Sequence, residues 1–193
     1  SIGLTSTFVQ ALAVPGTNLF AGTNSGVFLS TNNGTSWTAA STGLTNTNVL
    51  ALAVSGTNLF AGTYGGGVFL STNNGTSWIV ASAGLTNTNV NALAVYGTNL
   101  FAGTDVGVFL SANYGSSWTA INTGLTNTSV YALVVSGTNL FAGTDGGVFL
   151  STSNGTSWTG LGLSLATGVV ALAVSETNLF AGSLRNGVWR HPL

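Results

Sequence analysis

The stretch Ser30-Thr-Asn-Asn-Gly-Thr-Ser-Trp37 recurs unchanged at Ser71 to Trp78, as SANYGSSW from Ser111 and as STSNGTSW from Ser151. The closing tryptophans, Trp37, Trp78, Trp118 and Trp158, stand 41, 40 and 40 residues apart. Working outward, the phrase GTNLFAGT returns around Phe20, Phe60, Phe101 and Phe141, with an altered copy, ETNLFAGS, around Phe180. A fixed period of about 40 residues is the signature of a repeat architecture, in which each unit buries its apolar faces only against its neighbours. The 193 residues therefore read as one domain of five units, 1–40, 41–81, 82–121, 122–160 and 161–193, with no linker between them.

Within one unit the chain alternates short β-rich runs with turn residues. Val49 to Val54 (VLALAV) is one run, Leu59 to Thr63 (LFAGT) a second, Val68 to Ser71 (VFLS) a third and Trp78 to Ala81 (WIVA) a fourth, each pair parted by Gly, Asn, Thr or Ser. The first run is apolar at successive positions, which predicts a strand covered on both faces and placed in the interior. Four antiparallel strands per unit, repeated radially, predict an all-β five-bladed β-propeller. A β-helix would need a much shorter period. The last unit stops where its turn and fourth strand would follow, so nineteen strands are expected, with the outer strand of the last blade missing.

The recurrent turn has a mechanical reading residue by residue. Asn32, Asn73 and Asn113, with Ser153 in the fourth copy, can accept from nearby backbone amides. Gly34, Gly75, Gly115 and Gly155 can take positive φ, and the four tryptophans can pack an apolar body beneath the turn. The pattern Ser-x-Asn-x-Gly-x-Ser-Trp resembles the Asp-box, or BNR repeat, whose usual form is Ser/Thr-x-Asp-x-Gly-x-Thr-Trp between the third and fourth strands of a propeller blade. This chain departs from that form by carrying Asn or Ser in place of the aspartate.

The resemblance implies the fold and leaves the activity open, because one fold hosts unrelated functions. Asp-box sialidases use three arginines to clamp a carboxylate, and this chain has two, Arg185 and Arg190, both in the last unit. Asp-box xyloglucanases use paired aspartates, and Asp105 and Asp145 do occupy equivalent turns in adjacent units. Both lie in glycine-flanked turns, however, and not in the apolar setting a general acid needs. The single histidine, His191, has no serine or cysteine partner at a meaningful spacing. No enzymatic activity is expected.

Composition excludes further classes. Only 3% of residues are charged, lysine is absent and the net charge is -1, so no basic surface for nucleic acid or anionic lipid exists. With no cysteine, one histidine and three carboxylates, no metal and no cofactor are expected. The apolar runs fall far short of the ~20 residues that span a bilayer. A first residue that is not methionine, with no basic leader behind it, fits a mature secreted or cell-surface protein.

Two departures from the repeat point to function. Gln10, Leu50, Asn91, Tyr131 and Val170 differ at one position near the start of the first strand, and Asn24, Tyr64, Asp105, Asp145 and Leu184 differ at another between strands two and three. Strand connectivity puts both positions on the end of the propeller opposite the recurrent turns. Gln10, Tyr64, Asn91, Asp105, Tyr131 and Asp145 are thus candidate ligand residues, suited to stacking on and hydrogen-bonding a sugar. The other departure is the open third strand of the last unit, with Val188, Trp189, Arg190 and His191, a template for pairing with another chain. A near-neutral surface favours association. The sequence thus predicts a secreted, self-associating structural or adhesive propeller, with a glycan-binding propeller as the alternative.

Overall fold

In the computed structural model, which describes residues 2–162 and 168–193, nineteen strands form five antiparallel sheets. The first blade comprises β1 (Val9–Ala13), β2 (Leu19–Thr23), β3 (Gly26–Ser30) and β4 (Thr38–Ala39). The second holds β5 (Val49–Ser55), β6 (Asn58–Thr63), β7 (Gly67–Ser71) and β8 (Ile79–Val80), and the third β9 (Val90–Tyr96), β10 (Asn99–Thr104), β11 (Gly107–Ser111) and β12 (Thr119–Ala120). The fourth holds β13 (Val130–Ser136), β14 (Asn139–Thr144), β15 (Gly147–Ser151) and β16 (Thr159–Gly160). The fifth consists of β17 (Val169–Ser175), β18 (Asn178–Ser183) and β19 (Gly187–Pro192) and has no fourth strand among the described residues. The molecule is a five-bladed β-propeller with an incomplete last blade.

The recurrent turn closes each third-to-fourth strand hairpin. The Ser36 and Gly34 backbone N–H groups donate to Asn32 Oδ1 and Ser30 Oγ, both at 2.9 Å. Two successive residues, Asn33 and Gly34, take positive φ (55° and 81°), and Tyr114 holds the first of these positions in the third blade. In the fourth blade Ser153 replaces the asparagine, and the Ser157 N–H reaches its hydroxyl at 3.2 Å instead of 2.9 Å. The hairpin on the opposite end has its own clamp, in which the buried Thr23, Thr63, Thr104 and Thr144 hydroxyls donate to a glycine carbonyl three or four residues on.

The first strand of each unit, expected to be an interior strand covered on both faces, is so covered only near its start. In β5 and β13 only the first and third residues are buried and in β9 the first, third and fifth, whereas five of six residues in each of β6, β10 and β14 are buried. The second strand has a strand on either side and a blade against either face, while the first keeps one edge toward the central axis. Its apolar run covers the neighbouring inner strands, and its burial is incomplete.

Blade-to-blade contacts repeat three elements. A front face, Phe60 and Val68 with Ala81 in the second blade, meets a back face, Val90, Leu100, Ala102, Phe109 and Trp118 in the third. The inner-strand valine of each blade seats on a glycine of the blade before it. A Cβ on Gly62, Gly103 or Gly143 would lie 2.6 to 2.8 Å from the Cγ1 of Val90, Val130 or Val169. Finally, three tryptophan indoles donate to a carbonyl of the preceding blade: Trp78 to Ala40 O (2.8 Å), Trp118 to Ala81 O (2.8 Å) and Trp158 to Ile121 O (2.6 Å).

Inner strands pack in the order β1, β5, β9, β13, β17, and among the described residues β17 shows no comparable packing on β1. The five blades therefore form an open arc. Val9 is 42% exposed, while its counterparts Val49, Val90, Val130 and Val169 are fully buried. On the other end, Val188 is 74% exposed, against at most 2% for Val27, Val68, Val108 and Val148. The Trp37 indole instead donates to Gly34 O of its own turn at 3.2 Å.

The amino-terminal stretch SIGLT at 1–5, which matches STGLT at 41–45, packs against the first blade. Ile2 O accepts from Trp37 N–H at 2.8 Å, as Thr42 O accepts from Trp78 N–H at 2.9 Å, and Leu4 packs on Ala21, Phe28 and Trp37. Ser1, the first residue of the segment matched to 41–45, lies outside the described residues.

Candidate functional site

Antiparallel connectivity places the approaches to the inner strands and the second-to-third strand loops on one end of the arc, and the recurrent turns on the other. The variable positions adjoin through the backbone. Asn24 N–H donates to Phe8 O (3.4 Å), Tyr64 N–H to Asn48 O (2.9 Å) and Leu184 N–H to Gly168 O (3.1 Å). The sequence-derived ligand residues thus share one mouth, in three groups.

Gln10 stands at the amino-terminal side, where its Nε2 donates to Asn48 Oδ1 at 3.3 Å across the first two blades. Phe8, Val9, Asn24 and Asn48 complete an open concavity of about 380 Å³ around it. Tyr64 stands apart. Its carbonyl accepts from Asn46 Nδ2 at 2.9 Å, and its ring is largely exposed.

The remaining four residues form a strip across the third and fourth blades. Asp105 accepts from Asn89 Nδ2 (2.7 Å) and Asn91 Nδ2 (2.8 Å), one on each carboxylate oxygen. Asn91 also donates to Val130 O at 3.1 Å, next in sequence to Tyr131. The Tyr131 hydroxyl donates to Asp145 Oδ2 at 3.0 Å. Gly168 closes the strip, since a Cβ there would fall 2.8 Å from Asp145 Oδ1 and 3.3 Å from Tyr131 Cε2. Partial burial pushes the Tyr131 phenol above its ordinary pKa. Its hydrogen bond to Asp145 and the negative charges of Asp145 and Asp105 act in the same direction.

This arrangement holds amide, phenol and carboxylate groups on a rim beside an aromatic ring. Each aspartate is engaged by a neighbouring donor, so the two are separate hydrogen-bonded units. Asn89, Asn48 and Gly168 were missed by the sequence reading. They precede the inner-strand valine at a third variable position, which Phe8 and Ser129 also occupy. Among the described residues no group of three His, Cys, Asp or Glu side chains could hold a metal ion.

The last-blade residues lie on β19 with its outer edge unpaired among the described residues. Val188, Trp189 and Arg190 are exposed, and His191 is half-buried, lining a small concavity with Phe141, Leu150 and Leu161 of the fourth blade. No helix is long and apolar enough to cross a membrane among the described residues.

No protein-family model and no curated protein matches the sequence. Solved structures do match. An ancestral GH74 enzyme superposes with a TM-score of 0.79 at 26% identity, over 97% of this chain and 30% of that one. The extracellular domain of a B. thetaiotaomicron protein, provisionally assigned as a one-component system, superposes at 0.80 with 18% identity, over 94% and 26%. A GH74 xyloglucanase from Xanthomonas campestris superposes at 0.72 with 18% identity, over 100% and 37%. The chain thus spans between a quarter and two fifths of these proteins, and the likeness establishes the propeller fold.

Proposed function

We propose that this chain is a non-enzymatic propeller of the cell exterior with a structural or adhesive role, exercised through self-association. The observation that carries the reading is a surface of near-identical repeats in a chain with only 3% charged residues. The scarcity of charge removes the repulsion that would keep copies apart. Its recurrent turns are read as Asp-box repeats that have exchanged the aspartate for Asn or Ser without losing the turn. An extracellular setting is supported by the likeness to an extracellular sensor domain. Light scattering over a concentration series, with electron microscopy of the same samples, tests the role. Growth into ordered assemblies is expected, and discrete single arcs at every concentration would sink it.

A second reading, glycan binding at the mouth, is favoured by the Asn91, Asp105, Tyr131 and Asp145 strip, which offers donors and acceptors beside an aromatic face. Its test is Tyr131→Ala, which should abolish binding on a glycan array and leave scattering unchanged. An array without binding for the unmodified protein counts against it.

A further inference from the structure

We propose that Asn33, Asn74 and Asn154 are sites of spontaneous deamidation, and that the serine opening each recurrent turn holds the reaction off. The chemistry starts in the sequence. Each of these asparagines is followed by glycine, the neighbour that least obstructs attack by the next backbone nitrogen. In the reaction the Gly75 nitrogen forms a bond to Asn74 Cγ, the Cγ–Nδ2 bond breaks, and ammonia leaves with the proton that the glycine nitrogen gives up. Water then opens the resulting succinimide at either carbonyl, leaving aspartate or isoaspartate.

The turn presents both the reactive group and its guard. Asn32 and Asn73, one residue earlier, donate their amides to Ser36 and Ser77 Oγ, both at 2.8 Å. The side chains of Asn33, Asn74 and Asn154 are exposed and make no hydrogen bond among the described residues. The attacking nitrogen, however, is already engaged. Gly34, Gly75 and Gly155 N–H donate to Ser30, Ser71 and Ser151 Oγ at 2.9, 2.9 and 2.8 Å, and all three serines are buried. A proton held there is not free to leave, and the nitrogen must part from the serine before it can approach Cγ.

The backbone adds a second restraint. The three asparagines have φ of 55°, 53° and 54°. Left-handed backbone pairs such φ with ψ near ~+47°. That ψ turns Cβ almost opposite to the following nitrogen about the Cα–C bond, whereas ring closure needs the two nearly eclipsed. Reaction therefore requires the turn to open locally.

Two other sites in the molecule isolate these factors. Tyr114 takes the same conformation, φ 56°, and Gly115 N–H makes the same bond to Ser111 Oγ at 2.8 Å, so the turn does not need an asparagine at that position. Asn186-Gly187, in the β18–β19 hairpin, is a fourth Asn-Gly pair. There the serine accepts from the asparagine instead: Asn186 N–H donates to Ser183 Oγ at 2.8 Å, and no side chain holds Gly187 N–H among the described residues. This pair lacks the guard. Each deamidation exchanges an amide for a carboxylate, so the three turns together would add three negative charges to a chain whose net charge is -1. The guard thus preserves the near-neutral surface of the turn end.

Peptide mapping by mass spectrometry of the whole chain, incubated in mildly alkaline buffer, reads each site separately. In the folded protein Asn186 should react first, and Asn33, Asn74 and Asn154 far more slowly than in urea. Ser71→Ala should raise the rate at Asn74, relative to Asn33 in the same molecule, by about tenfold, the effect of one lost hydrogen bond. Asn73→Ala removes the acceptor of Ser77 N–H but leaves Ser71 on Gly75 N–H, and should change that ratio by less than about threefold. Because the ratio is internal to one molecule, a general loosening of the fold cancels from it. A ratio unmoved by Ser71→Ala overturns the guard, as does one moved equally by Asn73→Ala, which would make any loosening of the turn sufficient. Asparagines silent even in urea would overturn the sites themselves.

Discussion

The junction between the second and third blades and the outer face of the fifth blade are written in almost the same residues and behave oppositely. At the junction Phe60, Val68 and Leu70 are covered by a neighbour that contributes Val90 and Trp118. On the fifth blade the matching Phe180, Val188 and Arg190 have no such neighbour among the described residues, and Val188 is mostly exposed. A repeat sequence thus specifies the shape of each blade locally, while burial is conferred by the blade beside it. This is the nearest-neighbour logic of repeat proteins, in which stability divides into a unit part and an interface part.

The largest test of that contrast is the tryptophan. Trp118→Ala should cost ~3–5 kcal/mol in urea unfolding followed by circular dichroism, because it removes a buried indole and leaves Ala81 O without its donor. Trp37→Ala should cost clearly less, since its indole bonds only within its own turn. Equal losses would show that the tryptophan serves the hairpin and not the junction. Next comes the glycine lock. Gly103→Ala forces a methyl against Val130 and should destabilise by ~1–3 kcal/mol, whereas Gly182→Ala, with its nearest neighbour at 3.4 Å, should stay within ~0.5 kcal/mol. A smaller effect is expected in the turns. Asn73→Ala deletes acceptors for Ser77 N–H and Ser71 Oγ and should cost ~1 kcal/mol, and Ser153→Asn should recover a few tenths by restoring the shorter bond.

The smallest effect is a titration. Because its surroundings raise the Tyr131 pKa, the phenol should ionise at higher pH than an ordinary tyrosine, near 10. The raised value favours the folded state fully below the unfolded pKa, and that contribution is lost as pH rises through the folded one. Difference absorbance near 295 nm between the parent and Tyr131→Phe reads it directly. Asp145→Asn should move the titration downward, since it removes the facing negative charge.

The fold was legible because glycine, asparagine and tryptophan recur at fixed spacing, and each does a job that is local to its hairpin. Three features were not legible. The glycine of LFAGT reads as an ordinary strand residue until Val90 or Val130 is seen against it. The indole acceptors lie 37 or 38 residues away in the preceding blade, so no local pattern reveals them. The inner strands misled because an apolar run reports coverage without saying how much of it a neighbour supplies. At the mouth, variation located Tyr131 and Asp145, but the Asn89 and Asn91 clamp on Asp105 depends on which amides the inner-strand bulge brings together, at the register shift between Gly103 and Thr104.

The tryptophan and valine staples between blades point the same way along the chain. Trp78, Trp118 and Trp158 each reach back to a carbonyl that precedes them, and Val90 and Val130 each seat on a glycine that precedes them. During synthesis a new blade therefore finds its partner already outside the ribosome, and it can dock as soon as its own turn emerges. At ~5–20 residues per second a unit of about 40 residues appears every few seconds, far slower than a hairpin forms. The arc can thus be laid down one blade at a time, each new blade covering the face of the one made before it.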